Sequence, residues 1–163
     1  MGRARGRTIV TQQAYRIPRT VTPEMRARKI VARILGLPKE PDASTVIRAV
    51  DRGFESASVS RLAAYISVPE GDVLAAVDIS RSTFSRRKKS KRLTTEESDR
   101  LYRLTRLLSR AVAVLGDEAE ARQWMRTPKR ALGDVSPLNM ARTDAGVQEV
   151  EDLLGRIEYG IPS

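Results

Sequence analysis

The sequence contains no cysteine and no histidine, and only 4% of its 163 residues are aromatic. Without these side chains the protein has no disulfide, no thiolate chemistry, no Cys/His zinc site and no imidazole acid–base catalyst. The absence of cysteine is compatible with the reducing cytoplasm, where we expect the protein to act. No apolar run approaches the ~20 residues that cross a bilayer. We therefore expect no membrane segment, and the basic N-terminus lacks the apolar stretch of a secretory signal.

Signatures of catalysis are also missing from the chain. It has no Gly-rich phosphate loop, and the acidic pairs Glu96-Glu97 and Glu151-Asp152 resemble ordinary helix-start and helix-surface charges. The sequence therefore predicts a binding protein, not an enzyme, with no cofactor and no metal.

What the chain does contain is an excess of positive charge. The net charge is +10, and the isoelectric point is about 10.6. Residues 1–92 carry the whole excess, whereas residues 93–163 are slightly acidic. A basic front and a near-neutral back indicate two tasks, of which the first is binding to an anion such as a nucleic acid.

Helix signals recur along the chain, and no strand pair is evident, so the sequence predicts an all-α fold. Thr22-Pro23-Glu24 is typical of a helix start, and Thr94 with Glu97 predicts a capping box. The apolar stripe after this box consists of Leu101, Leu104, Leu108, Ala111 and Leu115. Its spacing predicts a core helix, which could also supply a dimer seam.

Three parts can be distinguished in the chain. Residues 1–45 form a basic N-terminal extension, partly disordered or arm-like, with one helix. Within it, residues 8–21 could be an extended arm or a short strand, and the basic arm could contact DNA or remain passive. Residues 46–116 form a helix-turn-helix domain with the long helix, and residues 117–163 form a second helical domain.

The helix-turn-helix is predicted from residues 70–90, EGDVLAAVDISRSTFSRRKKS. Val73, Val77, Ile79 and Phe84 have the spacing of the apolar residues that lock its two short helices together. Ser80 stands at the start of the second helix as an N-cap. The motif shows two departures: Leu74 stands where alanine is usual and Asp78 where glycine is usual in the turn.

The second helix of this motif has the composition of a DNA recognition helix. Its N-terminal residues would enter a groove of double-stranded operator DNA, and its basic end would follow the phosphates. The candidate groove contacts are Arg81, Ser82, Thr83, Ser85 and Arg86. The candidate phosphate contacts are Arg87, Lys88, Lys89, Lys91 and Arg92.

The C-terminal part carries a set of motifs in a fixed order. They read EARQWMRTPKRALG at 120–133, SPL at 136–138 and RTDAGVQEVEDLLGRIEYG at 142–160. Together with the preceding helix-turn-helix, they resemble the Xre/MbcA/ParS family of antitoxins over roughly residues 60–163. The resemblance does not cover the first 45 or so residues.

This resemblance implies a type II toxin–antitoxin pair. The usual partner of such antitoxins is a RES-domain toxin that consumes NAD, and the C-terminal domain would block its NAD pocket. The helix-turn-helix would bind the promoter of the operon. A homodimer would suit paired half-sites, and with the toxin it would form a higher hetero-oligomer.

Under this resemblance the end of the chain supplies the toxin-binding residues, with Tyr159 and Ile161 as apolar anchors. The full candidate set is Leu153, Arg156, Glu158, Tyr159, Gly160, Ile161, Pro162 and Ser163. An alternative is a stand-alone transcriptional regulator, whose C-terminal domain serves dimerisation or sensing. A neighbouring gene for a RES-like protein would favour the antitoxin.

Overall fold

The computed structural model describes residues 22–161, in which helices follow one another without any strand. Two isolated bridges are the only β contacts in that part of the chain, so the all-α fold class is confirmed. The helices are α1 (Pro23–Leu35), α2 (Ala43–Arg52), α3 (Ala57–Ile66), α4 (Glu70–Ala76), α5 (Arg81–Ser90), α6 (Thr95–Leu115), α7 (Glu118–Arg126), α8 (Pro137–Met140) and α9 (Asp144–Glu158), with one 3-10 turn at Arg130–Leu132. The arm or strand considered for residues 8–21 lies outside the described residues.

Local side-chain chemistry starts the helices where the sequence predicts. The side chains of Thr22, Ser80 and Thr94 each accept a hydrogen bond from the backbone N–H three residues further on. Thr94 also forms the predicted capping box with Glu97. Each cap satisfies an N–H group that the helix itself leaves without a partner, so these boundaries are confirmed.

The long helix α6 is the centre of the molecule. Leu101, Leu104, Leu108 and Ala111 are at most 1% exposed, because α1, α7 and α9 of the same chain pack around them. Burial of an aliphatic side chain of this size contributes about 1.5–3 kcal/mol. These four residues of the stripe are therefore part of the core that joins the two halves of the chain and are not free to form a dimer seam, whereas Leu115 is half-buried.

Helix α1 is part of this core although it belongs to the N-terminal extension. Ala27, Ile30 and Ile34 are at most 3% exposed, and α1 has its most extensive packing against α6. The extension thus contributes a packed helix before the helix-turn-helix begins. Across residues 22–161, no helix combines the length and the apolar character needed to span a membrane.

Candidate functional site

Helices α4 and α5 form the predicted helix-turn-helix. Val73, Val77, Ile79 and Phe84 are all at most 5% exposed, as the locked angle between the two helices requires. In the turn, Asp78 adopts a left-handed conformation with φ of 52°. Aspartate tolerates this region better than most residues, so the departure from glycine is accommodated.

A shallow groove separates the two helices of the motif. It has a volume of about 360 Å³, and its lining includes Gly71, Leu74, Arg81 and Ser85. Leu74, the second departure from the motif, is 4% exposed and thus lies in the packed base of the motif. The groove opens between the first turn of α4 and the N-terminal half of α5.

The exposed face of α5 carries positive charge without a counter-charge. The cations on or just after α5 that form no ion pair with residues 22–161 are Arg81, Arg86, Lys89, Lys91 and Arg92. Ser82 and Ser85 are exposed beside them, and Thr83 is half-buried. Hydroxyl and guanidinium groups interleaved in this way can reach both base edges and phosphates.

Arg87 is held in the joint between α5 and α6. Its Nε donates to both carboxylate oxygens of Glu97, at 2.7 and 3.0 Å, and Glu97 also accepts from the Thr94 N–H at 2.9 Å. Burial raises the pKa of the Glu97 carboxyl, but the hydrogen bonds from Arg87 and Thr94 outweigh it and the pKa lies below its usual value. The structure therefore places Arg87, with its charge neutralised, in a helix joint and not on the exposed face assigned to it from the sequence.

The Arg87–Glu97 pair gives a pH-dependent contribution to stability. We expect Glu97→Gln to destabilise the fold by about 1.5 kcal/mol, because a hydrogen bond to a charged group contributes about 1.5–3 kcal/mol and Arg87 is only partly buried. Since the folded-state pKa of Glu97 is lowered, its contribution is present above the unfolded pKa and is lost as the pH falls through the folded value. Urea unfolding at several pH values from about 7 down to about 3 measures this dependence.

In that series, the wild-type protein should lose more stability on acidification than Glu97→Gln. The exposed Glu149→Gln on α9 is the control and should keep the wild-type dependence. A variant at Glu97 that follows the wild-type curve would show that this carboxylate has the same pKa in the folded and unfolded states.

Two other candidate phosphate contacts also bind within the protein. Lys88 Nζ donates to the Glu70 carboxylate at 3.0 Å, and the same carboxylate accepts from Ser60 at 2.5 Å. Arg92 Nη1 donates to the carbonyl oxygen of Gly53 at 2.7 Å. These bonds fix the C-terminal end of α5 against its neighbours. Both residues are nevertheless exposed, so their side chains remain within reach of a ligand.

The C-terminal end of α9 projects two apolar side chains. Tyr159 is 79% exposed and Ile161 is 53% exposed. The N–H groups of Gly160 and Ile161 donate to the carbonyl oxygens of Ile157 and Arg156, at 3.1 and 2.9 Å. With Gly160 left-handed at φ of 65°, these bonds form a Schellman motif, which sets the direction in which the chain leaves the helix.

A ladder of ion pairs, which the sequence analysis missed, fastens α9 to α6. The pairs are Arg103–Asp144, Arg106–Glu151 and Arg110–Glu158. In the last pair, Arg110 Nη2 donates to the Glu158 carboxylate at 2.5 Å. Glu158, a candidate toxin contact, is therefore already held by α6. The signal was present as arginines three and four residues apart on α6 and acidic residues seven apart on α9.

The remaining candidate toxin contacts differ in their exposure. Leu153 is 2% exposed, because helical periodicity places it on the same buried face as Val150 and Leu154, so its assignment to a binding surface is corrected. Arg156 is half-buried, and its Nε is buried without a hydrogen-bond partner among the described residues. Pro162 and Ser163 lie outside the described residues.

These features define a helix-turn-helix protein whose second helical domain ends in exposed apolar side chains. The antitoxin Xre-like helix-turn-helix domain family matches residues 45–106, and the antitoxin Xre/MbcA/ParS C-terminal toxin-binding domain family matches residues 110–160. A protein named Antitoxin Xre from Yersinia enterocolitica is 35% identical over 142 residues, which cover 86% of this chain and 95% of that protein. The chain belongs to the Xre antitoxin family.

Two further relatives carry the same name. Antitoxin Xre of Photorhabdus laumondii is 36% identical over 70% of this chain and 78% of its own length. Antitoxin Xre of Pseudomonas putida is 35% identical over 49% of this chain and 50% of its own length. The resemblance seen in the sequence is thus confirmed, and the protein is an antitoxin with a helix-turn-helix domain and a toxin-binding domain, not an enzyme.

Proposed function

We propose that this antitoxin neutralises a RES-domain toxin that consumes NAD, and that it binds the promoter of its own operon as a homodimer. Residues 158–163, here called the tail, would enter the NAD pocket of the toxin. The observation that carries the toxin half of the proposal is the exposure of Tyr159 and Ile161. Among large apolar side chains of residues 22–161, only these two and Ile47 are exposed, and exposed apolar groups next to polar ones are typical of binding sites.

The backbone geometry at the start of the tail supports its binding to a partner. The Schellman motif at Gly160 restricts the tail before binding, which lowers the entropy lost on association. The tail would therefore present its two apolar anchors in a direction that is set before binding.

DNA binding is supported by the exposed face of α5. Its first two turns carry Arg81 and Arg86, exposed and free of ion pairs with residues 22–161, and the Ser80 cap fixes the start of the helix. A recognition helix needs this arrangement, because its first turns meet the base edges. A dimer would place two such helices at paired half-sites of the operator.

Co-expression with the product of the adjacent gene tests the toxin half of the proposal. We expect the two proteins to co-purify and the cellular NAD level to fall only when the toxin is produced without the antitoxin. Absence of a complex together with an unchanged NAD level would refute the RES-toxin assignment. A mobility-shift assay with the promoter of the operon tests the DNA half separately.

Removal of the tail is expected to weaken neutralisation by more than tenfold without weakening DNA binding, because two buried apolar anchors typically contribute more than about 1.4 kcal/mol to an interface. The finer variant Tyr159→Ala/Ile161→Ala should reproduce most of the effect. Ile47→Ala, which removes an exposed apolar side chain of α2, is the matched control. Toxin binding that survives truncation unchanged would show that another surface inhibits the toxin.

A further inference from the structure

A cluster of arginines lies where the C-terminal domain meets the helix-turn-helix. From α7, Arg126 Nη1 donates to the carbonyl oxygen of Ser67 at the end of α3, at 3.2 Å. Arg33 of α1 and Arg122 of α7 lie over the ring of Tyr65, at 5.5 and 5.4 Å from its centroid. Two helices that are distant in sequence thus bring three guanidinium groups, here called the arginine cluster, around the C-terminal end of α3.

The arginine cluster has three positive charges and one nearby carboxylate, so it keeps a net positive charge. Arg126 is exposed, and its Nε and Nη2 donate to the neutral amide oxygen of Gln123, at 3.0 and 2.6 Å. None of the three arginines forms an ion pair with an acidic residue of the described range 22–161. The nearby carboxylate of Glu118 accepts from the Tyr65 hydroxyl at 2.8 Å. Burial and that hydrogen bond raise the pKa of Tyr65, so the tyrosine remains neutral.

The arginine cluster adjoins the first helix of the DNA-binding motif. Ser67 precedes α4, which begins at Glu70, and Gly71 in its first turn lies against the Arg81 guanidinium. The cluster and Arg81 therefore flank the same end of α4. In a helix-turn-helix on DNA, the second helix enters the major groove and the first crosses the sugar–phosphate backbone. On DNA bound in this way, the cluster would lie beside the flanking phosphates.

We propose that Arg126, with Arg33 and Arg122, forms a second phosphate-binding surface that contacts the DNA backbone beside the site read by α5. This inference rests on the proposed DNA binding by the helix-turn-helix. Arg126 is exposed and held by neutral acceptors, and Arg33 and the half-buried Arg122 lie over the Tyr65 ring, so all three can pair with phosphate without first breaking an ion pair. Two of the three arginines belong to the toxin-binding domain, so that domain takes part in holding DNA.

The salt dependence of operator binding tests this surface. Each phosphate contact contributes about −0.9 to the slope of log affinity against log salt concentration. We expect Arg126→Gln to make the slope shallower by about 0.9, and Arg122→Gln/Arg126→Gln by about 1.8, while Arg126→Lys keeps the wild-type slope. Arg28→Gln is the matched control, because Arg28 shares α1 with Arg33 but lines the groove beside Tyr102 of α6.

The outcomes separate the possible roles of Arg126. If Arg126→Gln had the wild-type salt slope, whatever its affinity, the proposal would be overturned. Loss of the hydrogen bond to Ser67 alone does not change the number of ions released on DNA binding, so it would leave the slope unchanged. An equal change in Arg28→Gln would overturn it as well, by showing an effect of net charge. Normal DNA binding with weakened toxin binding would assign the cluster to the toxin. If the wild-type protein itself does not bind the operator, the proposed DNA-binding function fails, and the proposed phosphate-binding surface fails with it.

Discussion

Replacement of Gly146 by alanine is expected to destabilise the C-terminal domain by at least about 3 kcal/mol, the upper end of what overpacking usually costs. Gly146 is buried in the first turn of α9, where its N–H donates to the Thr143 hydroxyl at 3.0 Å. A Cβ at this position would overlap the carbonyl oxygen of Met140 and lie 2.8 Å from its carbonyl carbon. Because these are backbone atoms, α8 and α9 would have to separate.

Gly155→Ala on the same helix is the matched control. A Cβ there would meet nothing within 4 Å, so alanine should stabilise α9 by about 0.5–1 kcal/mol through its better helix propensity. Urea unfolding followed by the fluorescence of Trp124, the single tryptophan, measures both variants. Similar stabilities for the two variants would contradict the close approach of α8 to α9.

The sequence was sufficient to locate the helices because each helix boundary is set by residues only a few positions apart in the chain. Thr94 and Glu97 form their box within one turn, and Val73 and Phe84 lock the helix-turn-helix by spacing alone. What the sequence could not show is which charged side chains are already engaged. Arg87 looks like any other member of its basic run, and only the folded chain brings Glu97 within hydrogen-bond distance.

The same limit applies to the candidate toxin-binding residues. Leu153 stands in the C-terminal motif, but the sequence does not show which face of α9 packs against α6, and Leu153 is buried on that face. The partner of Glu158 is Arg110, 48 residues earlier in the chain, and such a pair becomes visible only when two helices are aligned. By contrast, the exposure of Tyr159 follows from its place just after the last helix.

Replacement of both Arg81 and Arg86 by alanine is expected to remove about half of the free energy by which the protein prefers its operator. Both side chains are exposed on the first two turns of α5. A bidentate contact to a base contributes about 1–3 kcal/mol of discrimination, so loss of two would remove about 2–6 kcal/mol of the roughly 4–10 kcal/mol that separates specific from non-specific binding. Titration of operator and scrambled duplexes at one salt concentration measures the loss.

The double variant Arg28→Ala/Arg48→Ala removes the same charge from exposed positions on α1 and α2 and should keep the preference for the operator. Toxin neutralisation by Arg81→Ala/Arg86→Ala should remain at the wild-type level, because neither side chain contacts α9 or the ion-pair ladder with α6. If the folded variant lost both activities, operator reading and toxin binding would have to share a surface. An unchanged preference for the operator would instead assign base recognition to residues other than these two arginines of α5.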